Sequence, residues 1–201
     1  MRILSLFREG RVQVEIIHCL KGMIPINNST SMLKFSFLEV IRPLLESPQV
    51  QEMKKYIQHG NTTCFQHCVH VAYLSDVTCR FLSLNWRAAA RAGMLHDFFL
   101  YDWHKDNRRF KSLCYMHGFH HPSVALKNAN ALFDLSNREQ DIILNHMFPL
   151  TFYRIPKYKE TIVISIVDKI CCITEFLSNF RKGKQQETQI GDLDDYSIRW
   201  C

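Results

Sequence analysis

Residues 88–103 read AAARAGMLHDFFLYDW (Ala88 to Trp103), and the rest of the chain is read outward from this stretch. His96 and Asp97 stand side by side after Ala88, Ala89, Ala90, Ala92 and Gly93, residues small enough for other helices to approach closely. Adjacent side chains on a helix diverge by about 100°, so the pair cannot grip one ion from one direction. That geometry suits an aspartate reaching toward two metals while His96 serves one. A buried imidazole and carboxylate at the end of an apolar segment need a partner, either a hydrogen-bond network or a metal.

Helical signals surround the stretch. Asn85 is placed to cap a helix over Trp86 to Phe99. Upstream, the apolar residues from Leu33 to Ile57 fall at helical spacings broken by Pro43 and by Ser47-Pro48, which predicts two helices meeting at a corner. Gln58 to Thr63 reads as a loop, and Thr62 or Thr63 can cap the next helix. In that helix Cys64, Cys68, Val71, Ala72, Cys79 and Leu82 mark a buried face, and His67 points inward. His70 falls near its rim. Downstream, residues 101–119 read as a long aromatic and basic loop, a length more typical of lids and binding loops than of simple connections. Pro122 is read in the first turn of a helix. Ser136 and Glu139 have the capping-box pattern of a helix that reaches His146 and stops at Phe148-Pro149. Lys157 to Phe180 reads as the last long helix.

Composition sets the class. The 201 residues suffice for one domain with a real core. A hydrophobic fraction of 47% with only 7 Gly and 6 Pro excludes a disordered chain, and the helical periodicity predicts an all-α fold. Three parts are read: an N-terminal appendage at 1–31, with a weakly alternating Arg11 to Ile17; a helical domain at 32–180; and a polar C-terminal tail at 181–201. The eight cysteines include no CxxC pair and no secretory signal precedes them, so reduced, buried thiols in a cytoplasmic protein are expected. No apolar stretch reaches the roughly 20 residues of a membrane-spanning helix, so no membrane partner is expected. The net charge of +6, from 25 basic and 19 acidic residues, is modest and lacks a recognition motif, so nucleic acid is not indicated as a partner. The densest basic run, His104 to Lys111, reads as a solvated loop or as an attractor of an anionic substrate.

The chemistry lies in a set of residues on separate helices: His67, His96 with Asp97, His121, His146 and Asp168. A lone inward histidine is usually a satisfied core residue, and Asp168 alone could pair with a nearby Lys or Arg. Coincidence on five helical segments weakens that reading. Four imidazoles and two carboxylates are too many for one tetrahedral zinc, but they suit two octahedral-preferring ions sharing a carboxylate.

In order and local context the set resembles the HD-domain superfamily of metal-dependent phosphohydrolases over roughly residues 33–180. His67-Cys-Val-His-Val-Ala, Ala-Gly-Met-Leu-His96-Asp97, His121-Pro-Ser-Val-Ala, Ile-Leu-Asn-His146 and Val-Asp168-Lys carry the resemblance. Having both His121 and His146 is similar to the binuclear subset. The resemblance implies an HD-like helical bundle with a metal site in its core. One metal would be held by His67, His96, Asp97 and Asp168, and the other by Asp97, His121 and His146, with Asp97 as the bridge. Two divalent cations are implied, iron or manganese before zinc, magnesium, cobalt or nickel. They would acidify a shared water for attack on a phosphate ester or anhydride of a nucleotide or another small phosphorylated metabolite. Asp97 is thus both ligand and catalytic residue. Lys105, Arg108 and Arg109 are the expected phosphate contacts, with Lys105 and His120 also in catalytic roles and Lys169 a further choice. Trp103, Tyr101 and Phe110 are candidates to stack on a base or to serve the core.

Two departures from the family bear on substrate. After His96-Asp97 the chain has Phe98-Phe99-Leu100 where the family often has an Ile-Gly turn and a Lys, and the Gly-Tyr-Pro motif of cyclic dinucleotide enzymes is absent. A di-iron oxygenase of the HD type and a non-catalytic metal-binding sensor module are the alternative functions.

Overall fold

A computed structural model describes residues 28–102 and 117–196. Helix α1 (Asn28–Leu45) begins four residues before the expected domain start at Met32 and runs through Pro43 to Leu45. Pro43 lies in the last turn, where it forfeits a single backbone hydrogen bond rather than breaking the helix. The corner falls at Ser47-Pro48 as expected, and α2 (Pro48–Glu52) starts on the proline, whose missing N–H costs nothing there. A 3-10 turn (Met53–Lys55) follows.

Residues 57–63, expected as a loop from Gln58, form a small antiparallel hairpin, β1 (Ile57–His59) with β2 (Thr62–Thr63). Gly60 turns it at φ 56°, in the left-handed region that glycine enters without strain. Strands this short carry no readable alternation. Thr63 then caps α3 (Cys64–Phe81) in a reciprocal capping box with Gln66.

Asn85 caps α4 (Trp86–Leu95) by accepting from the Ala88 amide. The helix stops at Leu95 rather than Phe99, because the Phe98 amide bonds to the Leu95 carbonyl and the Phe99 amide to Asp97, tightening the chain into a turn. Helix α5 (His117–Asn130) begins five residues before Pro122, which sits inside it rather than in its first turn. Ser136 and Glu139 form the expected capping box on α6 (Asn137–Asn145). Helix α7 (Lys159–Tyr196) continues well past Phe180, so the backbone of 181–196 is helical rather than a loose tail. That stretch carries Lys and Gln, which favour a helix, and lacks proline. The expected strand at Arg11–Ile17, most of the appendage 1–31, and Trp103, Lys105, Arg108, Arg109 and Phe110 lie outside the described residues.

Helix α3 runs through the middle. It is buried on nearly every side, with Phe65, Cys68, Val69, Val71, Ala72, Tyr73 and Cys79 all in the core. Leu82, expected on its buried face, lies just past its end and is half exposed. Helix α1 covers α3 with Phe37, Ile41 and Leu44, and the Phe37 ring meets Tyr73 edge-on at 5.2 Å. Helix α4 packs against α1, α3, α6 and α7, with Ala89, Ala90 and Ala92 fully buried. At its tightest point a Cβ on Gly93 would lie 2.8 Å from the Ala72 Cα. The small residues of the 88–93 segment therefore set how closely α3 and α4 approach, and so how near His67 comes to His96.

Helix α7 divides its apolar residues. Val163, Ile164, Val167 and Cys171 face the core, whereas Ile162, Ile166, Ile170, Ile173, Phe176 and Leu177 are exposed. Cys64, Cys68, Cys79, Cys171 and Cys172 are free thiols, as expected of reduced cysteines. Among the described residues no helix is long and apolar enough to cross a membrane.

Replacing Gly93 by Val drives side-chain carbon into the Ala72 backbone, which cannot rotate away. The expected loss is about 1–3 kcal/mol, typical of overpacking. Thermal denaturation of Gly93→Val against the unchanged protein reads it, and an equal or higher melting temperature would refute the close crossing.

Candidate metal centre

The six predicted ligands converge on one buried point. His67 lies on α3, His96 and Asp97 on the turn closing α4, His121 on α5, His146 at the C-terminus of α6, and Asp168 on α7. All are buried, from 0% exposed for His67 and His96 to 6% for Asp168. His96 and Asp97 stand at the end of the helix, and both side chains turn into the cluster. His96 Nε2 lies 3.5 Å from Asp97 Oδ2.

The Asp97 carboxylate divides its surroundings. Oδ2 faces His96 at 3.5 Å and His67 Nε2 at 3.9 Å, while Oδ1 faces His121 Nε2 at 3.1 Å and His146 Nε2 at 3.7 Å. Asp168 Oδ1 joins the first group, 3.1 Å from His67 Nε2 and 3.7 Å from His96 Nε2. Among the described residues it pairs with no Lys or Arg. Lys169 turns instead to the Ser165 carbonyl of its own helix, at 2.9 Å.

Ring orientation is fixed from behind. His96 Nδ1 donates to the Gly93 carbonyl and His146 Nδ1 to the Ile143 carbonyl, each at 2.8 Å. Both carbonyls belong to the last turn of a helix, where backbone acceptors lack an intrahelical partner. The His67 Nδ1 lies 3.0 Å from Glu175 Oε2, a carboxylate that only accepts while ionised. With the proton held on Nδ1, neutral His67 and His96 turn an Nε2 lone pair toward Asp97 and Asp168, and that of His146 meets His121 Nε2 at 2.9 Å. Lone pairs on nitrogen and carboxylate oxygen repel unless a proton or a cation lies between them. Among the described residues His96 Nε2 and Asp97 Oδ1 are buried with no hydrogen bond, Oδ1 lying 3.1 Å from His121 Nε2. Buried, convergent and unsatisfied donors of this type can hold a metal ion, and His67, His96 and Asp168 and then His96, Asp97 and His146 each bring one donor atom within 4.8 Å of the others.

The electrostatics of the cluster are set by its own imidazoles and carboxylates. Burial opposes a proton on His67, but its hydrogen bonds to Asp168 and Glu175 outweigh burial and raise its pKa well above the usual histidine value. His96 is raised likewise, burial being overcome by the charge of Asp97. Burial would raise Asp97, yet His96, His121 and His146 hold it well below the ordinary carboxylate range; His67 and His96 do the same for Asp168. Burial and the neighbouring His121 and His96 push His146 down to about 3, so that ring stays neutral.

Several contributors were not legible beforehand. Gln58, on β1, donates to Asp97 Oδ2 at 2.6 Å and is buried, its own Oε1 without a hydrogen bond. Glu175 bridges His67 and His70, the latter at 2.8 Å. The Cys64 thiol donates to the Asp97 backbone carbonyl at 3.3 Å. Cys172 and Glu175 stand four and seven residues after Asp168, a helical spacing that places them on its face of α7; that was the signal available. Gln58 and His59 gave none, since a short hairpin presents them. Beyond Asp97 the chain turns through Leu100, whose φ of 52° lies in the left-handed region usually left to glycine. His120 is half-buried next to His121, and Tyr101 packs its ring 4.9 Å from Phe99.

A cation bound at His67 and His96 competes with protons there. Since both pKa values are raised, affinity rises with pH across the neutral range and falls on acidification, by roughly tenfold per pH unit for each proton displaced. Competition against a chelator at pH 6 and pH 8 measures it; equal affinities would contradict the assignment. Glu175→Gln, which weakens the hold on His67 Nδ1, is expected to cost about 10–100-fold in metal affinity.

Comparison of the chain with protein-family models, with curated proteins and with solved structures returned no match.

Proposed function

We propose that this protein is a metal-dependent phosphohydrolase of the HD-domain type, acting on a nucleotide or another small phosphorylated metabolite. The observation that carries the reading is the division of the Asp97 carboxylate, with His67, His96 and Asp168 about Oδ2 and His121 and His146 about Oδ1. A carboxylate so placed suits a bridge between two divalent cations, iron or manganese by the mix of imidazole and carboxylate donors. Such a pair supplies an acidified water and Lewis-acid stabilisation of phosphoryl oxygens.

The chain's own residues do the rest. Asp97 holds the two halves of the site in register, and Gln58 fixes the rotation of its carboxylate. The orienting carbonyls of Gly93 and Ile143 keep His96 and His146 in the liganding tautomer. Lys105, Arg108 and Arg109 are proposed to grip the substrate phosphate, Arg bidentately, and His120 to deliver a proton to the leaving oxygen. The free thiols fit the reducing conditions of the cytoplasm.

Elemental analysis of the purified protein, joined to a phosphate-release screen over mono-, di- and dinucleotides, tests the reading. About two metals per chain and hydrolysis are expected. Asp97→Asn, which keeps size and loses charge, should lose both while keeping the helical circular dichroism. Two irons with dioxygen-dependent turnover and no phosphate release would favour the oxygenase instead. Metal bound without any turnover would leave a sensor module.

A further inference from the structure

Beside the buried centre, against the same Asp168 oxygen that faces His67 and His96, lies a group of different chemistry. Cys172 Sγ lies 3.1 Å from His59 Nε2 and 3.5 Å from Asp168 Oδ1. One donor atom each of His59, His67 and Cys172 falls within 4.8 Å of the others. The His59 and His67 rings meet edge-on, centroids 5.5 Å apart. Helix α7 sets Cys172 one turn after Asp168, and the hairpin brings His59 over it. His59 and Cys172 are half-buried, unlike the fully enclosed ligands of the main centre, so ions reach them from solvent.

We propose that Cys172, His59 and His67 form a second metal site selective for thiophilic cations, zinc or cadmium, and that it overlaps the main centre at His67. Thiolate and imidazole donors select soft and borderline ions, whereas the carboxylate-rich centre suits harder ones. Tetrahedral zinc, with bonds of about 2.3 Å to sulfur and about 2.0–2.1 Å to nitrogen, sets those two donors roughly 3.5 Å apart. The Cys172–His59 gap needs to open by only a few tenths of an ångström to accept it. On binding, the metal–sulfur bond forms as the thiol proton leaves to solvent, and no electron is transferred. A His67 ring committed to this ion is withdrawn from the ion held with His96 and Asp168, so a thiophilic cation expels one harder metal and inhibits. The overlap rests on the metal-centre reading above; the Cys172–His59 site stands independently of it.

The test uses the full-length protein loaded with manganese and titrated with cadmium. Thiolate-to-cadmium charge-transfer absorption and manganese released are read together. One cadmium per chain should raise the band and release about one manganese. Cys172→Ser and His59→Ala should each abolish or greatly weaken the band at that stoichiometry and keep their manganese, with the helical circular dichroism unchanged. A triple variant of Cys19, Cys114 and Cys201 to Ser should behave as the unchanged protein. A band that survives in Cys172→Ser overturns the site, and a full band without manganese release overturns the overlap. Should the protein hold no manganese at all, the main-centre reading fails, while the band and its loss in Cys172→Ser still decide the new site.

Discussion

The carboxylate of Asp97 is the constraint on which this structure turns. It is 3% exposed, with histidine nitrogens facing both of its oxygens and one amide donor, Gln58, on Oδ2. An ionised carboxylate costs several kcal/mol to bury even after relaxation, and that cost is offset only by opposite charge and hydrogen bonds at close range. Three helices, a turn and a strand each bring one such partner: His67, His121, His146, His96 and Gln58. The bundle is in this sense built to keep a charge dry, and the donors it assembles to do so are those of a metal ligand set.

Helix ends do much of the positioning. His96 and His146 both sit where a helix stops, each ring tied to a carbonyl three residues back. This uses acceptors that a helix leaves unpaired and fixes which nitrogen faces inward, with no further side chain required. His67 lies near the start of its helix, where the carbonyls are taken up by the turns that follow, and takes Glu175 for the same purpose. The close crossing at Gly93 and Ala72 brings these two modes of support together.

The convergence of the candidate ligands could be read from the sequence because they lie in or at the ends of strongly patterned helices. Asn85, Thr63 and the Ser136–Glu139 box cap their helices as the residue types predict, and those helices carry His67, His96 and His146. What pattern could not give was the exact end of a helix. Asp97 was expected inside one and lies on the turn after it, where local hydrogen bonds outweigh the propensity of an alanine-rich run. Gln58 and His59 were hidden for another reason: a hairpin only a few residues long brings them to helices far away in sequence, and no local period announces such contacts. The length of α7 was missed because a polar segment reads equally as a solvated helix or as a tail.

A bridging role for Asp97 is the claim from which the rest follows, and a crystal structure of the metal-loaded protein with anomalous data collected at the manganese and iron edges tests it most directly. The account predicts two anomalous peaks about 3.5–4 Å apart, one on each oxygen of Asp97. The first should be ringed by His67, His96 and Asp168, and the second by His121 and His146. A single peak, or a pair of ions with Asp97 bound to only one of them, would contradict it.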